Sequence, residues 1–342
     1  MKHLLRTLLS SILLTAAAHA SAAEDLAGYD RLDVHAAHRA SPVAASIWYP
    51  LGSKTYRAKI GDNMLFEGTL AYVGAGVKEG KYPLILLSHG SGGNMDGLGW
   101  LSSQLALKGA IVLAVNHPGS TSGDSSPRRS SELGKRAKDL SAALDQVLAD
   151  PAFNKYIDRS RISSAGFSLG GGTALNLAGI QFDNEAFADY CAKFSGTTDD
   201  CIFLAKGDVT LENMSKDFAA YAKDPRVSRT IAFDPGLTFA AKKKSMTETD
   251  VPTLFITLGT TNMMQAADVG ENGSGIVDIM PNAQRITLAP AHHFTFLAEC
   301  KEAGIKMLEE EEDDPICTDP EGVERADVHR RIIDAVADFL KL

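Results

Sequence analysis

Apolar residues along this chain come in two kinds of run, short unbroken blocks and longer stretches that repeat with a helical period. Residues 83–88 and 110–115 are blocks rich in Leu, Ile, Val and Ala, the pattern of strands buried on both faces, and residues 161–165, 229–233, 253–258 and 284–288 read as further strands. Between them lie stretches with helical spacing. Residues 98–107 form one, and residues 132–148 another, with Leu133, Ala137, Leu140, Leu144, Val147 and Leu148 on one side. Lys135, Arg136, Lys138, Asp139 and Asp145 fall on the opposite, polar side of that helix. Residues 323–340 predict a closing helix whose apolar side carries Val323, Ala326, Ile332, Ile333, Val336, Phe339 and Leu340. Strands alternating with helices predict an α/β protein, with a mostly parallel central sheet and helices on both faces.

Ahead of this regular part, residues 41–50 read as a strand ended by Pro50, within an N-terminal antiparallel section. Residues 51–82 are polar and Gly-rich, and read as loop with one weak strand at 70–73. The alternation breaks again over residues 183–225, which predict a small cap or lid insertion. No internal repeat or linker divides the chain, so residues 21–342 read as one domain.

The first twenty residues stand apart. Lys2, His3 and Arg6 precede an apolar stretch from Leu8 to Ala18, and Ala18-His19-Ala20 is a small-residue cleavage signal, so residues 1–20 read as a signal peptide cut between Ala20 and Ser21. The protein is therefore expected in the periplasm or outside the cell. Later runs stop short of about 18 apolar residues, so no transmembrane segment is expected.

Composition narrows the partners. A 44% hydrophobic content suffices for a sizeable core, and a net charge of -9 argues against a nucleic-acid groove or a polybasic membrane patch. Export lets the four cysteines pair, and the local pairs Cys191–Cys201 and Cys300–Cys317 close the shortest loops. Free buried thiols are the rival reading. The spacings match no zinc knuckle, and the acidic run from Glu309 to Asp314 lacks the ligand alternation of a calcium loop and reads as a solvated loop, so no metal and no cofactor are expected.

The chemistry concentrates where blocks end. Gly166-Phe167-Ser168-Leu169-Gly170 is a G-x-S-x-G turn between a strand and a helix, which projects a serine hydroxyl from the tip of the strand. Asp234 follows the block at 229–233, His293 follows the block at 284–288, and Ser91 follows the block at 83–88. In an open parallel sheet the reactive site lies beyond these carboxyl ends. Ser168 is the candidate nucleophile, His293 the base and Asp234 the acid, in the chain order of nucleophile-elbow hydrolases. The backbone N–H groups of Ser91 and Leu169 would form the oxyanion hole, each worth roughly 3 kcal/mol to the transition state. His292 rivals His293 as base, and Asp268 rivals Asp234 as acid. His89 and His117 are expected to support the oxyanion loop structurally, through hydrogen bonds to backbone.

These residues resemble the serine α/β-hydrolases related to platelet-activating factor acetylhydrolase, and the bacterial predicted dienelactone hydrolases grouped with them. The likeness lies in residues 87–92, 114–117, 134–139, the elbow, residues 231–234 and His293-Phe294. It implies an α/β-hydrolase fold with Asp234 as the acid, and the family's oxyanion donors carry over to Ser91 and Leu169. Dienelactone hydrolases use a cysteine nucleophile where this chain has Ser168, which favours ordinary carboxylic esters over lactones. The expected function is hydrolysis of small, short-acyl esters through an acyl-enzyme, with phospholipid or lactone-like esters as extensions. A non-catalytic binding protein of the same fold, and a triad-dependent acyltransferase or peptidase, are the alternatives.

Overall fold

The computed structural model describes residues 25–311 and 315–342. The expected signal peptide lies outside the described residues, as do residues 312–314 of the acidic run. The chain opens with β1 (Gly28–Val34), β2 (Val43–Tyr49), β3 (Tyr56–Ile60) and β4 (Thr69–Val73). Then come β5 (Tyr82–Ser88), α1 (Gly99–Leu107), β6 (Ile111–Val115), the short ribbon β7 (Ser120–Thr121) and β8 (Asp124–Ser125), α2 (Pro127–Ser130) and α3 (Leu133–Ala149). The middle of the chain forms β9 (Ile157–Phe167), α4 (Leu169–Leu177), α5 (Asn184–Lys193) and α6 (Asp199–Lys206). The last third forms β10 (Val227–Phe233), α7 (Lys243–Glu248), β11 (Thr253–Leu258), α8 (Ile276–Ile279), β12 (Ala283–Leu288), α9 (Glu302–Glu311) and α10 (Arg325–Leu340).

Ten strands make one sheet in the order β12-β11-β10-β9-β5-β6-β2-β1-β4-β3. From β12 to β6 every neighbouring pair is parallel, while β2 joins β6 antiparallel and starts the N-terminal section. The unbroken apolar blocks conceal an alternation that only packing reveals. Leu84 and Leu86 pack on the side of α3, with Leu140 and Leu144. Ile85 and Leu87 pack on the other side, with Leu101 of α1 and Ile332 and Val336 of α10. Both faces are covered, so both sets are apolar, each such side chain contributing about 1.5–3 kcal/mol on burial.

Two expectations need correction. Residues 51–82 contain two strands rather than one, because β3 pairs with β4 at the outer edge of the sheet. The edge strand β3 is half-exposed to exposed along its length and carries Arg57 and Lys59, so it has no apolar block to betray it. The start of the acidic run, read as a solvated loop, is instead the end of α9. Between α4 and β10, α5 and α6 interrupt the sheet's alternation, and the Cys191–Cys201 disulfide ties them together. Cys300–Cys317 is the second disulfide, and both follow the local pairing. Among the described residues no helix is long and apolar enough to cross a membrane.

Candidate active site

The central strand β9 ends in the turn that presents Ser168. Its backbone sits at φ 55° and ψ -121°, a conformation costly for a residue with a side chain. Hydrogen bonds hold it there: the Ser168 N–H donates to Phe233 O at 3.0 Å, and its carbonyl accepts the N–H groups of Gly171 at 2.8 Å and Gly236 at 3.0 Å. The flanking glycines are needed for space. A Cβ at 166 would lie 2.0 Å from Gly170 O, and one at 170 would lie 2.1 Å from Ser88 O. The first turn of α4 therefore presses directly on the end of β5.

Asp234 and His293 come to this turn from neighbouring strand ends. Asp234, fully buried, follows β10, and its Oδ1 accepts the Leu258 N–H at 2.7 Å. Its Oδ2 lies 3.0 Å from His293 Nδ1, and His293 Nε2 lies 3.1 Å from Ser168 Oγ. A proton on Nδ1 satisfies the carboxylate and leaves the Nε2 lone pair facing the serine hydroxyl, an assignment made from the network. Phe167 packs against the imidazole, 4.6 Å between ring centres, and stacks on Phe296 at 4.3 Å. A cavity of about 950 Å³ opens over Ser168 and His293, walled mainly by apolar side chains, among them Phe66, Leu98, Phe203, Phe218 and Phe294. Phe203 and Phe218 belong to residues 183–225, which thus form part of the wall.

The rivals lie elsewhere. His292 caps the turn that follows it: its Nδ1 accepts the Phe294 N–H at 3.1 Å, and its Nε2 meets Thr318 O. Asp268 bonds within its own loop, accepting the Gly270 N–H at 2.9 Å. The N–H groups of Ser91 and Leu169 have no backbone or side-chain acceptor among the described residues, and both residues line the cavity.

Behind the site lies a group of polar residues that the sequence reading placed differently. Arg136 and Asp139, expected on the polar side of α3, are buried, with 1% and 0% exposure. They flank the apolar stripe rather than oppose it. Arg136 stands three residues after Leu133, and Asp139 four residues before Ala143, and that spacing was the available signal. His117 Nδ1 bonds Asp139 Oδ2 at 2.9 Å and its Nε2 meets Ser88 Oγ at 2.9 Å, so His117 bonds side chains rather than backbone. Burial, and next the Arg136 charge, push His117 down to about 3, so it is neutral. Burial alone would raise the Asp139 carboxyl, but hydrogen bonds from His117, His38 and Arg39 outweigh it and hold it well below the ordinary range. Burial lowers the Arg136 guanidinium to about 9, with Asp139 opposing, so it stays cationic at neutral pH. His89 does reach backbone: its Nδ1 meets Gly90 O at 2.7 Å, and its Nε2 accepts the His117 N–H at 3.2 Å.

Comparison with known proteins fits this geometry. Residues 40–190 match the family model described as PETase, PET hydrolase-like. That span holds Ser91 and Ser168 but ends before Asp234 and His293. The chain is 35% identical over 107 residues to Cutinase est2 of Thermobifida alba, a match covering 31% of this chain and 33% of that protein. It is 30% identical over 136 residues to Cutinase est1 of the same organism, covering 39% and 42%. The chain thus spans a third to about two fifths of the length of these curated relatives. Among solved structures, a ferulic acid esterase from Streptomyces cinnamoneus superposes with a TM-score of 0.60 at 18% identity, over 92% of this chain and 88% of that one. This likeness carries the fold, which is the α/β-hydrolase fold.

Proposed function

We propose that this chain is an exported serine hydrolase of carboxylic esters, with Ser168 as nucleophile, His293 as base and Asp234 as acid. The observation that carries this reading is the unbroken hydrogen-bonded series Ser168–His293–Asp234, with contacts of 3.1 and 3.0 Å, opening into the cavity. His293 Nε2 takes the Ser168 proton as Oγ attacks the ester carbonyl, and Asp234 stabilises the resulting imidazolium. The negative oxygen is met by the N–H groups of Ser91 and Leu169. The alkoxide leaves with the proton from His293, giving an acyl-serine and an alcohol. Water, deprotonated by His293, then attacks the acyl carbon and releases the acid while Ser168 regains its proton. The partial matches to cutinases support ester chemistry.

The two disulfides suit an oxidising compartment and so support export. The helices of the 183–225 insertion act as a cap over the cavity. Short-acyl esters are the proposed substrates, and the names PET hydrolase, cutinase and ferulic acid esterase put esters of those kinds on the panel to be tested. The resemblance to platelet-activating factor acetylhydrolase adds short-acyl phospholipids to it. Turnover of p-nitrophenyl acetate and butyrate is expected for the wild type, with a loss on the order of 10⁵–10⁶-fold in kcat for Ser168→Ala. Unchanged activity in that variant would remove Ser168 from the chemistry.

A further inference from the structure

Arg136 is buried on α3, yet none of its hydrogen bonds goes to a carboxylate. The nearby Asp139 is occupied by His117, His38 and Arg39, and the guanidinium bonds only neutral oxygens. Taking a charge out of water without a bonded counter-ion is costly, so stability alone gives little reason for an arginine at this position. What the side chain does have is reach. Nε donates to Thr173 Oγ1 at 2.9 Å, Nη1 to Ser120 Oγ, and Nη2 to Ser88 Oγ at 3.1 Å and to the His89 carbonyl. Four acceptors on three separate segments converge on one rigid planar fork, a geometry that the single ammonium of lysine does not reproduce.

Two of these segments lead to the oxyanion donors. Thr173 Oγ1 donates in turn to the Leu169 carbonyl at 3.1 Å, in the first turn of α4. On the other side, the His89 ring meets the Gly90 carbonyl at 2.7 Å, and the Gly93 N–H donates to the same oxygen at 3.2 Å. That carbonyl shares a planar peptide group with the Ser91 N–H, so holding the oxygen aims the N–H the opposite way. A single guanidinium is thus linked through Thr173 to the first turn of α4, which carries Leu169, and through His89 to the Gly90–Ser91 peptide.

We propose that Arg136 is a positioning residue for ester hydrolysis: it clamps the loop carrying Ser91 to the helix carrying Leu169 and so fixes the spacing of the two oxyanion donors. This rests on the reading that those two N–H groups form the oxyanion hole. Donors fixed in advance stabilise charge without reorganisation, and small misplacements are costly in rate. The clamp therefore acts on the transition state and leaves ground-state binding almost untouched.

The test uses the full chain and the variants Arg136→Met and Arg136→Lys, with Thr173→Val and Ser120→Ala as milder removals of single acceptors. Both Arg136 variants are expected to lower kcat for p-nitrophenyl butyrate by about 10- to 100-fold with KM within about threefold of wild type. Affinity for a trifluoromethyl ketone, which forms a tetrahedral adduct with the serine, should fall in parallel with kcat/KM. Thr173→Val and Ser120→Ala should lower kcat by a few-fold each and decide the question if the Arg136 variants do not fold. Full activity in Arg136→Lys would show that charge rather than the fork matters, and would overturn the clamp. So would folded variants with wild-type kcat, or a KM rise that accounts for the whole effect. Labelling of wild-type Ser168 by a fluorophosphonate separates the two readings. If Ser168 is not labelled, the hydrolase reading itself fails, whereas labelling with unaffected Arg136 variants removes only the clamp.

Discussion

The chain holds two serine–histidine–aspartate series with nearly the same hydrogen-bond lengths. Ser168, His293 and Asp234 stand at 3.1 and 3.0 Å, while Ser88, His117 and Asp139 stand at 2.9 and 2.9 Å. By contact geometry alone, the buried series is as good as the one at the cavity. What separates them is everything around those contacts. Ser168 projects from a strained turn into open space, whereas Ser88 lies inside β5 at 0% exposure, its oxygen already accepting from Arg136. The Arg136 charge also helps keep His117 neutral, which opposes the proton uptake that a catalytic base needs. Hydrogen-bond order builds a relay, and only access and surroundings make one a reaction centre.

Equivalent substitutions in the two carboxylates should break the resemblance. Asp234→Asn is expected to lower kcat on the order of 10⁴-fold, because the amide favours the wrong imidazole tautomer. Asp268→Asn should leave kcat within a few-fold of wild type. The reverse ranking in a steady-state assay would move the acid to Asp268.

Asp139→Asn should act on stability instead. It leaves the nearly buried Arg39 with only its longer, 3.9 Å contact to Glu132 and unbalances His38 and His117, a loss of about 3–5 kcal/mol in urea unfolding. The folded fraction should keep kcat within about tenfold. A collapse of kcat at unchanged stability would place the buried series in the chemistry.

The mildest test is acid titration of stability. The folded pKa of His117 is depressed to about 3, below the ordinary value near 6.5, so its contribution is present above about pH 6.5 and lost as pH falls toward 3. One such group costs about 1.4 kcal/mol per pH unit over that window. Asp139, also depressed, adds its own loss only below about pH 4. Urea midpoints should therefore decline between pH 6 and 5, and His117→Gln should make that decline shallower, the remainder coming from His89 and His329, whose burial lowers them in the same direction. An equally steep decline in His117→Gln would assign the acid lability to other groups.

Much of the molecule was legible in the residues. The apolar blocks located the inner parallel strands β5, β6, β10 and β11, because a strand covered on both faces has little room for polar side chains, while β12, at the sheet edge, is exposed over most of its length. The edge strand β3 was not legible, since half-exposed positions such as Arg57 and Lys59 carry no pattern that distinguishes strand from loop. The glycines around Ser168 announced the elbow, because only a turn that tight needs them. Chain order and strand ends pointed to Asp234 and His293, and local spacing suggested both disulfides.

Other features were decided in three dimensions. Which of two adjacent histidines faces Ser168 depends on a turn that spends His292 on capping. The burial of Arg136 and Asp139 depends on what lies against the flank of α3, namely β5, the β7 segment and α4. A helical period says where the stripe is but not how wide its cover extends. The sequence alone determined the sheet and singled out the candidate reacting groups at its strand ends, because both are written in residue type and local spacing. The tertiary structure alone decided which polar groups line the cavity and which are sealed behind it, because burial is set by neighbours far away in the chain.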